Sequence, residues 1–185
     1  MAIRNAIEVI VRLAEQGDIG QYAVAGAVAA LNYIQPTLTE DLDILISTAD
    51  FERRESGLIL LTPLEEALAK AGYTERRAEG IVVEGWPVQF LPVASDLDAE
   101  ALADATEINL APVGTEPLLV RVLRSEHIVA TALKLGRLKD FARVEAFLEQ
   151  EAVDLDRLKA VLVRFRLMDA WRDFCKKSSR IDPFG

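Results

Sequence analysis

The amino-acid sequence predicts a mixed α/β fold of the α+β kind, a small mixed sheet flanked by helices and followed by a C-terminal helical bundle. Three observations predict it. Thr39-Glu40-Asp41-Leu42-Asp43-Ile44-Leu45-Ile46 is an apolar, strand-like run with two aspartates at its mouth. Two further β-rich runs, about Thr74 to Val83 and Pro87 to Pro92, meet through the turn pair Glu84-Gly85. From Ser125 onward the apolar residues recur at helical spacing.

The elements follow in order. Residues 2 to 16 read as a helix with Ile3, Ile7, Ile10 and Ala14 on one stripe and Leu13 at its edge, ended by Gly17 and Gly20. Tyr22 to Ala25 is a short strand. Gly26 then opens a small-residue helix that runs to Tyr33, and Pro36-Thr37 breaks the chain before a strand from Leu42 to Ser47. Pro63 suits the first turn of a helix that runs to about Ala71. After the paired strands, Asp98 to Ala105 is a short helix, and Ala111 to Leu123 holds one or two short strands. Ser125 is a candidate N-cap with Glu126 at the positive end of the helix that follows. Helices are predicted at 126–136, 138–149, 156–165 and 167–176, with a loose tail from Ser178. The expected division is an α/β core over 1–123, a helical region over 124–177 and a tail over 178–185.

Composition narrows the function classes. The 185 residues suit one domain, or a domain with a small appendage, and 51% of them are apolar, enough for a sizeable core. No run is long and apolar enough to span a membrane, and the first residues lead into an amphipathic helix rather than a signal peptide. The lone Cys175 and the lone His127 exclude an intrachain disulfide and any multi-cysteine or histidine-rich metal site. A cytoplasmic protein without a membrane partner is expected. The net charge of −9 disfavours nonspecific nucleic-acid binding. Yet residues 121–185 carry 14 Lys and Arg against 10 Asp and Glu, so a polyanion has a basic surface to meet there.

The chemistry concentrates at Asp41 and Asp43. Side chains two apart in a strand share a face, roughly 7 Å apart at Cα, while Leu42, Ile44 and Ile46 take the other face. Leu45 makes both faces apolar beyond the aspartates, the pattern of a buried strand. Two carboxylates fixed side by side repel unless a cation lies between them, and oxygen-only sites suit Mg²⁺ or Mn²⁺, the former commonly arriving with substrate phosphates. Gly26, 15 positions earlier, permits a phosphate to approach backbone N–H groups, and equally permits tight helix–strand packing. Two solvated aspartates at a strand end are the plainer reading of the acidic pair.

Taken together, Val24-Ala25-Gly26-Ala27 and Thr39-Glu40-Asp41-Leu42-Asp43-Ile44 resemble the signature of the nucleotidyltransferase superfamily, the DNA polymerase β-like fold. The nearest resemblance is to minimal bacterial nucleotidyltransferases of the AbiEii toxin type, in which Thr-x-Asp-hydrophobic-Asp often opens the strand. Leu133-Lys134-Leu135-Gly136-Arg137-Leu138-Lys139-Asp140 resembles a later helical segment of the same proteins. The resemblance implies a Mg²⁺-dependent (or Mn²⁺-dependent) transfer of a nucleoside monophosphate from an NTP to a hydroxyl. It implies metal-binding roles for Asp41 and Asp43, and a phosphate cradle from Gly26 and Ala27, with Thr39 beside the pair. Lys134 would neutralise triphosphate charge, and Lys139 and Asp140 would match the family's Lys-Asp pair. The acceptor is a tRNA, as the toxin-type resemblance implies, or a protein side chain or a small molecule, and a toxin would have a cognate antitoxin as partner.

One departure stands out. The superfamily usually supplies a third carboxylate from a neighbouring strand, and the corresponding position here is Gln89. An amide does not act as a base near neutral pH. Glu84 lies at the preceding turn, and Asp96 and Asp98 suit capping of the next helix. The alternative to a transferase is therefore a protein that keeps the fold and binds nucleotide or a partner without efficient transfer.

Overall fold

The computed structural model describes residues 2–35, 39–47, 61–110 and 116–185. The expected break at Pro36-Thr37 and the start of the segment 111–123 lie outside these residues. Packing divides the chain into two compact units, Met1–Val28 with Leu38–Leu123, and Ala29–Thr37 with Arg124–Gly185.

Among the described residues the first unit is built on a mixed seven-stranded sheet, whose strands lie side by side in the order Arg76–Arg77 (β3), Gly80–Val83 (β4), Trp86–Pro92 (β5), Leu42–Ile46 (β2), Tyr22–Val24 (β1), Leu119–Val122 (β7) and Thr106–Asn109 (β6). Helix α1 (Ala2–Gln16) buries Ala6, Ile7, Ile10 and Leu13 at the i, i+3, i+4 spacing of one helix face and lies against β5 and β7. Arg4 donates to Glu8 one turn on at 2.9 Å. Strand β1 (Tyr22–Val24) follows, then the short helix α2 (Gly26–Ala30) and strand β2 (Leu42–Ile46). Helix α3 (Thr62–Lys70) starts with Pro63 in its first turn, as the sequence predicts, and buries Leu64 and Leu68.

The predicted strand over 74–83 is divided. β3 (Arg76–Arg77) and β4 (Gly80–Val83) form a small hairpin around Ala78, whose φ is +52°. The Glu84-Gly85 turn then leads into β5 (Trp86–Pro92). Helix α4 (Asp96–Ala103) packs against β2. Its N-cap is Ser95, which accepts from the Asp98 N–H at 3.4 Å while Asp98 Oδ2 accepts from the Ser95 hydroxyl at 2.8 Å. This reciprocal cap fixes the helix start two residues before the predicted one. Strand β6 (Thr106–Asn109), absent from the sequence reading, pairs antiparallel with β7 (Leu119–Val122) at the sheet edge.

Strand β2 lies inside the sheet, antiparallel to β1 and parallel to β5. Leu42, Ile44 and Ile46 are completely buried and Leu45 nearly so. Burying a side chain of this size contributes roughly 1.5–3 kcal/mol. A one-residue slip would exchange that face for the aspartate face, so the apolar set also fixes the register.

The second unit is helical. α5 (Ser125–Leu135), α6 (Leu138–Glu149), α7 (Leu155–Arg164) and α8 (Met168–Lys177) pack around α5, most of whose residues are buried, Ser125, Glu126 and His127 included. Ser125 is not the cap. The extended residue before the helix is Arg124, and no side chain caps it. Asp154 caps α7 by accepting from the N–H groups of Asp156 and Arg157, both at 3.0 Å.

The segment after Ser178 is held rather than loose. Trp171 Nε1 donates to Asp182 at 2.7 Å, and the Phe184 ring lies 4.8 Å from the Trp171 ring. No helix among the described residues is long and apolar enough to cross a membrane.

Candidate active site

The site assembles where β1, β2 and β5 run side by side. The Ala25 N–H donates to the Asp43 carbonyl at 2.9 Å, extending the β1–β2 ladder to the residue before Gly26. That bond brings Gly26 onto the Asp43 side chain. A Cβ at Gly26 would lie 2.9 Å from Asp43 Cγ, 3.2 Å from its Cβ, and would overlap Oδ2 outright. Gly26 also has a φ of +60°, a region that L side chains rarely adopt. Two independent constraints, one steric and one conformational, therefore demand glycine at this position.

Asp41 stands just before β2. The Thr39 hydroxyl lies 3.2 Å from Asp41 Oδ1 and 3.1 Å from the Asp41 carbonyl, so it braces the carboxylate against its own backbone turn. Both Asp41 and Asp43 are half-buried. On the parallel neighbour, Gln89 is in register with Asp43. Residues in register on adjacent strands share a face, about 4.8 Å apart. Gln89 is thus the side chain next to Asp43 across the sheet, and it too is half-buried.

Among the other acids of this unit weighed from the sequence, Glu84 is bound by Tyr73. The Tyr73 hydroxyl donates to Glu84 at 2.6 Å, and this bond is the main reason the tyrosine titrates above its ordinary range. Asp98 serves the α4 cap, where it also accepts from the Ala94 N–H at 3.2 Å. The structure therefore brings together Gly26, Asp43 and Gln89, with the Thr39–Asp41 pair just before the same strand and Ala27 following Gly26 in the chain.

Lys134, Lys139 and Asp140 belong to the helical unit. Lys134 is an exposed residue of the last turn of α5, and Lys139 is exposed in the first turn of α6. Asp140 is completely buried and takes Arg137 Nε at 2.6 Å and the Arg137 N–H at 3.3 Å, with Arg143 at 3.6 Å. These contacts make it the acid of a capping box at the start of α6. Arg137 and Arg143 were missed as its partners, although their i−3 and i+3 spacing from Asp140 is readable in the sequence. His127, at the third position of α5, is 2% exposed.

The residues fit a divalent cation. Two carboxylates, one just before β2 and one on it, supply hard oxygen donors. The glycine beside them leaves the Asp43 carboxylate the space that a Cβ would fill, so the carboxylate keeps its place against the backbone. With only five residues, α2 has little dipole of its own, so any phosphate cradle at Gly26 and Ala27 relies on close backbone approach rather than on a helix field.

These features define a nucleotidyltransferase-type fold. No family model matches the sequence, and no curated protein matches it either. Solved structures do. An antigenic nucleotidyltransferase-like protein from Paracoccidioides brasiliensis superposes with a TM-score of 0.52 at 16% identity, over 92% of each chain. The antibiotic-resistance factor ANT(2'')-Ia, solved in solution, superposes with a TM-score of 0.50 at 17% identity, over 96% of this chain and all of that one. At these identities the likeness is one of fold.

Proposed function

We propose that this protein is a Mg²⁺-dependent nucleotidyltransferase that moves a nucleoside monophosphate from an NTP to an acceptor oxygen, releasing pyrophosphate. The observation that carries the reading is the placement of Gly26 against the Asp43 carboxylate, with Asp41 just before the same strand and Thr39 bracing it. The fold shared with nucleotidyltransferase-like structures supports it.

In this reading the transferase core is 1–123, the helical region is 124–177, and 178–185 is a tail. Asp41 and Asp43 hold the metal. Mg²⁺ bound there supplies charge stabilisation to the triphosphate and to the departing pyrophosphate. Thr39 fixes the Asp41 carboxylate, and the bare Gly26 backbone lets the Asp43 carboxylate sit directly against it. Gln89 faces the same space with a neutral amide. Lys134 and Lys139 enter from the sequence resemblance as contributors to triphosphate binding, with Asp140 as the acid of the resemblance's Lys-Asp pair, in a supporting role at the start of α6. A hydroxyl on tRNA or on a protein, with a cognate antitoxin as binding partner, is the form that the toxin-type resemblance gives the reaction.

A second reading is favoured by Gln89. In that reading the protein keeps the fold and binds nucleotide or a partner without transferring it, and Gln89→Asp restores transfer.

The test is incubation with each of the four α-³²P-labelled NTPs, Mg²⁺, total tRNA and a small-molecule extract, beside an Asp43→Asn control. Label on any acceptor that requires intact Asp43 is the expected result. Metal-dependent NTP binding without transfer moves the assignment to the binding protein. Neither binding nor transfer, from folded protein, refutes both.

A further inference from the structure

We propose that the acceptor is an oxyanion, a phosphomonoester or a carboxylate, rather than a hydroxyl. This inference rests on the nucleotidyl-transfer reading and narrows its acceptor class. Three features of the sheet carry it. Gln89 is in register with Asp43 on the parallel neighbour strand, so an uncharged amide occupies the third position on the acidic face. Among the described acids of the same unit weighed from the sequence, Glu84 is held by the Tyr73 hydroxyl at 2.6 Å and Asp98 by the α4 cap. Among the described residues, none is hydrogen-bonded to the Gln89 side chain, which leaves its N–H₂ group for a ligand.

A hydroxyl acceptor must lose a proton as it attacks, and its neighbour at this position has to take that proton. An amide cannot. A phosphomonoester or carboxylate oxygen arrives with its lone pair already ionised and needs no base. A third carboxylate would repel such an acceptor, whereas the Gln89 N–H₂ donates a charge-assisted hydrogen bond to it. The neutral residue thus suits an anionic acceptor on two counts.

The step balances without proton transfer. The acceptor O⁻ forms a bond to the α-phosphorus of the NTP. The bond from that phosphorus to the bridging oxygen breaks, and its electron pair leaves on pyrophosphate. The product is a phosphoanhydride from a phosphomonoester, or an acyl nucleotide from a carboxylate.

The test uses the full chain with Mg²⁺, α-labelled NTP and a total small-molecule and RNA extract, and reads the linkage formed. Hydroxylamine releases label from an acyl nucleotide, and ³¹P NMR separates a phosphoanhydride from a phosphodiester. Label in either of the first two linkages is expected, and which of the two appears identifies the source of the oxyanion. Gln89→Glu, checked for folding by its thermal melt, should lose about tenfold or more of this transfer through like-charge repulsion. Gln89→Ala, which removes the donor and adds no charge, should raise the KM for the acceptor more than it lowers kcat.

Label found in a phosphodiester to a sugar or side-chain hydroxyl overturns the inference while nucleotidyl transfer stands. Asp43-dependent NTP binding with no transferred label also overturns it, and leaves a binding protein. Absence of both binding and label removes the transferase reading and this inference together.

Discussion

Replacing Gly26 with alanine should damage stability and metal binding by separable amounts. The backbone share comes from φ +60°, where a residue with a Cβ costs about 1–2 kcal/mol. The steric share comes from Asp43. The added Cβ would sit 2.9 Å from Asp43 Cγ, inside contact distance, and on top of Oδ2. Since carbon atoms pack at about 3.5–4.0 Å, the carboxylate must swing away by roughly an ångström. A displacement of that size at a reacting centre costs on the order of 100-fold in rate.

Gly85→Ala supplies the control. Gly85 also has a positive φ, +84°, but nothing lies within 4 Å of where its Cβ would be. Its variant should lose the backbone share alone. Urea denaturation of both proteins gives the two stabilities, and titration calorimetry with Mg²⁺ and NTP gives the binding. Gly26→Ala should be the less stable of the two and should bind Mg²⁺·NTP far more weakly. Equal stability for both variants, with binding intact in Gly26→Ala, would refute the close approach of Gly26 to Asp43 and the site built upon it.

Three further perturbations test other parts of the chain. Thr39→Val removes the hydroxyl that lies 3.2 Å from Asp41 Oδ1, and should cost about 1 kcal/mol of stability by urea denaturation while weakening Mg²⁺ affinity severalfold by calorimetry. Asp140→Ala strips the α6 capping box and leaves Arg143, only 15% exposed, without its carboxylate, so a loss of about 1–3 kcal/mol is expected in a thermal melt, with Asp140→Asn losing less. The Trp171–Asp182 bond makes a pH prediction. The indole N–H holds the Asp182 carboxyl below the usual carboxylate range, so the ionised form is favoured in the folded chain. Its contribution is complete above the ordinary aspartate value, about 3.9, and is lost as pH falls through the lowered folded value. In a Trp86→Phe background, Trp171 fluorescence should therefore change only at acid pH, and Asp182→Asn should flatten that change. A Trp171 signal that is unaltered by Asp182→Asn would contradict the bond.

The acidic strand was legible because its signal is redundant. Leu42, Ile44 and Ile46 mark one face, the two aspartates mark the other, and no other register satisfies both. Gly26 was legible as a site for close approach, but not the identity of what approaches it, because that depends on a ladder bond between Ala25 and Asp43. Strand β6 was missed because Thr106-Glu107-Ile108-Asn109 offers one apolar residue at a sheet edge, where pairing with β7 rather than burial defines the strand. The split between β3 and β4 was missed for a similar reason, since Arg76 and Arg77 are exposed. Ser125 looks like a cap from local composition, yet it is buried and the helix starts without one. The fixing of the C-terminal segment depends on Trp171 meeting Asp182 and Phe184, a contact with no periodic signature.

The two units are not separable by one cut. The stretch after α2 belongs to the helical unit, where the Tyr33 ring lies 6.0 Å from that of Phe147 and the Gln35 N–H reaches Gln150 at 2.8 Å. A fragment ending at Leu123 would carry Tyr33 and Ile34 away from those partners and present them to water, 5% exposed as Ile34 is in the intact chain. A fragment starting at Arg124 would lack the same residues and open a gap over Phe147. Bacterial expression of either half alone should therefore yield aggregate, while co-expression of 1–37 with a chain from 38 onward keeps each unit's own parts available. The natural place to divide this protein for recombinant work is between residues 37 and 38, not between its sheet and its helices.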